Sequence, residues 1–125
     1  MTDGFDRDEL ERRTKQLALR CIRLADALPW QKPAGRPMGQ QLIRASTSVA
    51  ANYRAARRAR SDREFLAKLS IVVEEADETA FWIEMIVDAA LIEEHRVADL
   101  RAEAERLMRL FAKSRKSLRD KLGNG

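Results

Sequence analysis

Four carboxylates crowd one short stretch of the 125-residue chain, Glu74, Glu75, Asp77 and Glu78. Such a run is raw material for a di-metal site, but that site needs inward carboxylates from several helices and Glu-x-x-His pairs. The single histidine, His95, falls beside an expected turn. No metal and no other cofactor is expected. Cys21 is the one cysteine, which excludes an intrachain disulfide. It lies on an apolar stripe, where a thiol behaves as a small hydrophobe, and only His95 is present to activate it. Ser46, Thr47 and Ser48 fall mid-helix, where a hydroxyl usually bonds back to the preceding turn. There is no phosphate loop, dinucleotide fingerprint or zinc spacing. These residues favour no catalytic role, and a protein that is not an enzyme is expected.

The elements that must position these residues are helices. All three Pro precede position 40, and no Gly or Pro interrupts the chain between Gly39 and Gly123. Leu10, Thr14, Leu17, Cys21, Leu24 and Leu28 recur in steps of three and four, which predicts a helix over about 8–28, with Asp6 and Glu9 as its capping box. Three prolines make 29–37 a loop. Met38, Leu42, Ala45, Val49, Asn52, Ala56 and Ala59 form a second seam over 38–60, and Ser61-Asp-Arg-Glu64 reads as the capping box of a third helix over 62–91. That helix carries Leu66, Leu69, Val73, Ala76, Ala80, Ile83, Val87 and Ala90. Val97, Leu100, Ala104, Leu107, Phe111, Ser114 and Leu118 mark a fourth over 96–121. The expected fold is all-α, a single domain over 1–125 forming an antiparallel up-down-up-down four-helix bundle.

Charge is segregated along the chain. The overall balance of 24 basic and 20 acidic residues gives +4. Between Ala27 and Ser61 there is no acid, whereas 62–94 holds ten acids against Arg63 and Lys68. One reading is mutual satisfaction of adjacent helices, with carboxylates within reach of Arg44 and Arg54 and with Arg44, Glu74 and Glu78 as structural polar residues. The other is a nucleic-acid footprint, RNA or DNA, made by Arg54, Arg57, Arg58 and Arg60 and joined by Lys113, Arg115, Lys116, Arg119 and Lys121 near the other basic end. Asn52, an amide on an apolar seam, is expected to fix register or assembly.

The third helix is also apolar off its seam, at Phe65, Ile71, Val72, Phe81, Trp82, Met85 and Ile86. That width implies either a broad core or a second contact surface; self-association is favoured over a ligand pocket, with Ile71, Trp82 and Met85 as interface residues and a protein partner as the alternative occupant. No apolar run is long enough for a membrane span and no secretory leader opens the chain, so a cytoplasmic protein with no membrane partner is expected.

The run Arg44-Ala-Ser-Thr-Ser-Val-Ala-Ala-Asn52-Tyr-Arg-Ala-Ala-Arg-Arg-Ala-Arg-Ser61-Asp-Arg-Glu-Phe65, followed by Lys68-Leu-Ser-Ile-Val-Val-Glu-Glu-Ala-Asp-Glu78-Thr-Ala-Phe-Trp-Ile-Glu84, resembles the four-helix bundle proteins encoded in intervening sequences of bacterial 23S ribosomal RNA genes. The resemblance extends over about 15–118 and implies a homo-oligomer, typically a ring of five. Related accessory proteins of diversity-generating retroelements are basic bundles that bind nucleic acid and a reverse transcriptase. Where many members carry Glu-Gly soon after the Asn, this chain has Ala55-Ala56 and an Arg-rich continuation. The resemblance supplies no catalytic residue.

Overall fold

The computed structural model describes residues 6–124, which form four helices and, among those residues, no strand: α1 (Arg7–Ala27), α2 (Gly35–Arg57), α3 (Asp62–Asp88) and α4 (Glu94–Asn124). Each helix turns one apolar stripe inward. On α1 the whole expected stripe is buried, from Leu10 to Leu24, and Leu28 follows it into the core. Asp6 caps the helix by accepting a hydrogen bond from the Glu9 amide at 3.1 Å.

α1 packs on α2, α2 on α3 and α3 on α4, whereas α1 and α4 meet much less extensively. Pairs of contacts fix the directions. Gly39, near the start of α2, lies against Ala25 and Leu28 at the end of α1, while Arg57 at the end of α2 pairs with Asp8 and Glu11 at the start of α1. Likewise Glu84, late in α3, faces Arg101, early in α4, and Asp62 at the start of α3 faces Lys121 near the end of α4. The short link 58–61 turns the chain from α2 back along α3. Consecutive helices therefore run in opposite directions, as short connections favour.

Several boundaries depart from the periodicity. α2 begins at Gly35 rather than 38, which shortens the loop to 28–34. Its N-cap, Ala34, has no side-chain acceptor, and the turn is instead closed by backbone bonds from Lys32 to Pro29 and from Gly35 to Lys32. Gly35 packs so closely that an added Cβ would sit 2.4 Å from the Pro29 carbonyl oxygen. α2 also ends at Arg57, three residues before the expected limit. α3 stops at Asp88 rather than 91, and Ala90 takes a left-handed φ of 60°. No glycine marks this stop. The Ser61 hydroxyl caps α3 through the Glu64 amide, but Glu64 returns its carboxylate to the amide of Arg60 rather than to that of Ser61.

The seams are corrected in two places. On α2 the buried residue is Tyr53, not Asn52, which is half-buried and donates to the carbonyl and hydroxyl of Ser48 one turn back. The rings of Tyr53 and Phe111 pack tilted at 41° with centroids 5.1 Å apart, and burial pushes the Tyr53 phenol up to about 12. On α3 the core stripe is broader than one seam, because Val72, Thr79 and Ile86 are buried too, while Ala90 is exposed.

Candidate functional site

Arg13, Arg44 and Arg101 are held by carboxylates on neighbouring helices. The Arg13 guanidinium forks onto Glu103 at 2.9 and 3.0 Å and joins α1 to α4 across their sparse contact. Burial alone would raise the Glu103 carboxyl, but hydrogen bonds and charge from Arg13 and Arg106 hold it below the usual carboxylate range. The Arg13 pair in turn keeps that guanidinium protonated more firmly than usual. Arg44 reaches Glu75 at 3.2 Å and also Glu78. Glu75 takes the place expected of Glu74, which is exposed and in no ion pair among the described residues: one residue is a 100° rotation of the helix, enough to turn Glu74 outward. Arg101 lies between Glu84 and Glu105.

Towards the end of the bundle formed by the C-termini of α2 and α4, paired and unpaired bases mix. Arg54, Arg58, Arg60, Lys113 and Arg119 are exposed and Arg115 half-buried, and among the described residues none has a carboxylate within ion-pair distance. Arg57 differs from its neighbours: its guanidinium bridges Asp8 at 2.7 Å and Glu11 at 2.8 Å, and those bonds hold its pKa above the usual value. Lys116 pairs with Asp120 one turn away. The bases around 54–60 and those around 113–121, more than fifty residues apart in sequence, come to the same end of the bundle because α2 and α4 both run toward it, and of these Arg57, Arg60 and Lys121 border one hollow. Arg57, Ala59 and Arg60 line the same hollow as Ser114, Ser117 and Lys121.

On the outward face of α3, Ile71 and Phe81 are exposed while Trp82 and Met85 are half-buried. Phe81 meets Trp82 edge-on at 5.0 Å, and the indole N–H points to Glu78 at 3.5 Å. Sequence reading named Ile71, Trp82 and Met85 here and set Phe81 only among the general apolar excess. Cys21 is fully buried, and burial pushes its thiol up to about 12, which leaves the thiolate scarce at neutral pH. Among the described residues no cluster of three metal-binding side chains occurs, and no helix is long and apolar enough to cross a membrane.

The model of the 23S rRNA-intervening sequence protein family matches residues 9–113. The chain belongs to this family. A solved structure of similar shape is a protein with unknown function from the S23 ribosomal protein family, from Bacteroides thetaiotaomicron VPI-5482. It is 25% identical, with 85% of this chain and 97% of that chain aligned at a TM-score of 0.77. No curated protein matches. The intervening-sequence family match takes in the Arg54–Arg60 cluster and Lys113, whereas Ser114, Arg115, Lys116, Arg119 and Lys121 lie beyond it.

The residues that sequence reasoning missed are those whose importance comes from topology. Asp8 and Glu11 carry no special motif, yet they occupy Arg57; Arg13 and Glu103 are ninety positions apart. Ser114 alone left a signal, as a polar residue on an otherwise apolar seam.

Proposed function

We propose that this member of the intervening-sequence family is a non-enzymatic, homo-oligomeric scaffold in the cytoplasm that contacts nucleic acid through the basic end of its bundle. The observation that carries the reading is the gathering of unpaired bases toward the shared end of α2 and α4: Arg54, Arg58, Arg60, Lys113, Arg115 and Arg119 have no carboxylate within ion-pair distance among the described residues, while Arg57 alone of the α2 cluster is held by Asp8 and Glu11. Uncompensated guanidinium groups on a rigid frame suit the phosphates of RNA or DNA. Exposed Ile71 and Phe81 beside Trp82 and Met85 support assembly through α3, in the five-subunit form that the resemblance implies. Assembly repeats the basic end and strengthens binding without new contacts.

A purely protein-binding module is the second reading, favoured by the Arg44 fork onto Glu75 and Glu78, which shows part of the segregated charge satisfied internally. Retardation of labelled RNA and DNA at low salt separates the two. Binding that weakens steeply with salt supports the first; no retardation at low salt ends it. A solution mass above one chain that falls when Phe81 and Met85 are replaced by Glu supports the α3 interface, and an unchanged mass rejects it.

A further inference from the structure

The apolar core stops one layer short of the basic end. Beyond Tyr53 and Phe111 the described residues around the space are mostly small, Ala56 and Ala59 on α2 and Ser114 and Ser117 on α4, with Leu118 as the one aliphatic side chain of full size. A hollow of about 490 Å³ remains among the four helix ends. Its walls differ in kind. Arg7, Arg60 and Lys121 bring positive charge, and Asp62, 3.9 Å from Lys121, is the single acid of the lining among the described residues. Phe65 supplies a ring, with the Arg7 guanidinium 5.3 Å from its centroid.

The hydroxyls are the second observation. Thr14, Ser46, Thr47, Ser70 and Thr79 each donate to a carbonyl of the preceding turn, the ordinary fate of a helical hydroxyl. Half-buried Ser114 and exposed Ser117, three residues apart and both bordering the hollow, make no such bond among the described residues, a property they share with Ser48, which instead accepts from Asn52. Their donors are left for whatever enters.

We infer that this hollow binds a nucleoside phosphomonoester, either a free nucleotide or the phosphorylated end of a strand. The inference rests on the nucleic-acid reading above and sharpens it. A phosphomonoester carries about −1.5 to −2 charges at neutral pH, more than the single charge of each internal phosphodiester, so converging cations select the terminal group. Hydroxyl donors suit its oxygens, and the ring of Phe65 suits a stacked base. A bare phosphate would leave most of the volume empty, whereas a nucleotide fits the size of ordinary ligand pockets. Arg57 also borders the hollow, but Asp8 and Glu11 engage it at 2.7 and 2.8 Å, so Arg7 and Arg60 carry the recognition, joined by Lys121, whose contact with Asp62 is looser at 3.9 Å.

The test uses the full chain, a short single-stranded RNA with a 5′-phosphate or a 5′-hydroxyl, and AMP beside adenosine. The phosphorylated strand is expected to bind about tenfold more tightly, as one additional charge-assisted contact allows. Ser114→Leu fills the hollow and should erase that preference while leaving salt-dependent binding of the 5′-hydroxyl strand intact; Lys121→Gln, on an exposed helix end, should reduce it without touching the core. AMP binding with no strand preference assigns the site to free nucleotides, and a strand preference without AMP binding assigns it to strand ends. If no strand binds but AMP does, the broader nucleic-acid reading fails and the hollow stands. Absence of both, or a preference that survives both substitutions in protein with native circular dichroism, overturns the inference.

Discussion

Ala90→Gly is expected to stabilise the protein. Ala90 is the one non-glycine residue with positive φ among those described, at 60°. It follows the end of α3, where the Leu91 amide donates to the Ile86 carbonyl at 3.1 Å and the Ala90 amide to Val87 at 2.9 Å. These crossed bonds form a Schellman cap, a motif that normally places glycine at this position. Buried Leu91 anchors the cap, so the strained residue has no room to relax. A Cβ in the left-handed region costs about 1–2 kcal/mol, and the added flexibility of glycine in the unfolded chain offsets roughly 0.4–1 kcal/mol of the relief. The Ala90 side chain is exposed, so its removal forfeits little packing. The net gain is about 0.5–1 kcal/mol, read as a higher urea midpoint with an unchanged slope at fixed protein concentration. An unchanged or lower midpoint would refute the reasoning.

Three other outcomes follow from the same geometry. Gly35→Ala places a Cβ against the Pro29 carbonyl and should cost about 1–3 kcal/mol in urea unfolding, since backbone must shift to admit it. Glu103 titrates below its unfolded value, so the Arg13–Glu103 link contributes stability above the unfolded carboxylate range near pH 4.3 and loses it as pH falls through the lower, folded value. Glu103→Gln should flatten that acid limb of the stability–pH curve, and an unaltered limb would show that the pair is not its source. Cys21, buried with its thiol pushed up to about 12, should resist alkylation at pH 8 in native protein and react only on unfolding; prompt labelling would contradict the packed interior.

Much of the bundle was legible because its stripes repeat at helical spacing. The α1 stripe from Leu10 to Leu28 is buried throughout, and Ser61 starts α3 as its capping pattern indicates. Ala90 shows where legibility ends: a helix stop made by an alanine in a left-handed turn carries no residue-type signal. Gly35 opens α2 without a cap because a backbone turn from Pro29 replaces one. Asn52 and Tyr53 both fall near the seam of α2, and only the packed neighbours, Phe111 above all, decide that the ring goes inward. At the basic end each Arg cluster was visible, but their meeting, and the withdrawal of Arg57 by Asp8 and Glu11, depends on chain direction and neighbour choice.

The central claim is that the ends of α2 and α4 act as one phosphate-binding surface. Its most direct measurement is the dependence of RNA affinity on salt for wild type, for Arg54→Gln with Arg58→Gln, for Lys113→Gln with Arg119→Gln, and for all four together. Each pair should lower the slope of log affinity against log salt by about 0.7 for every phosphate that is no longer neutralised, and the combined variant should lower it furthest. A slope that stays at the wild-type value in the combined variant would contradict the account.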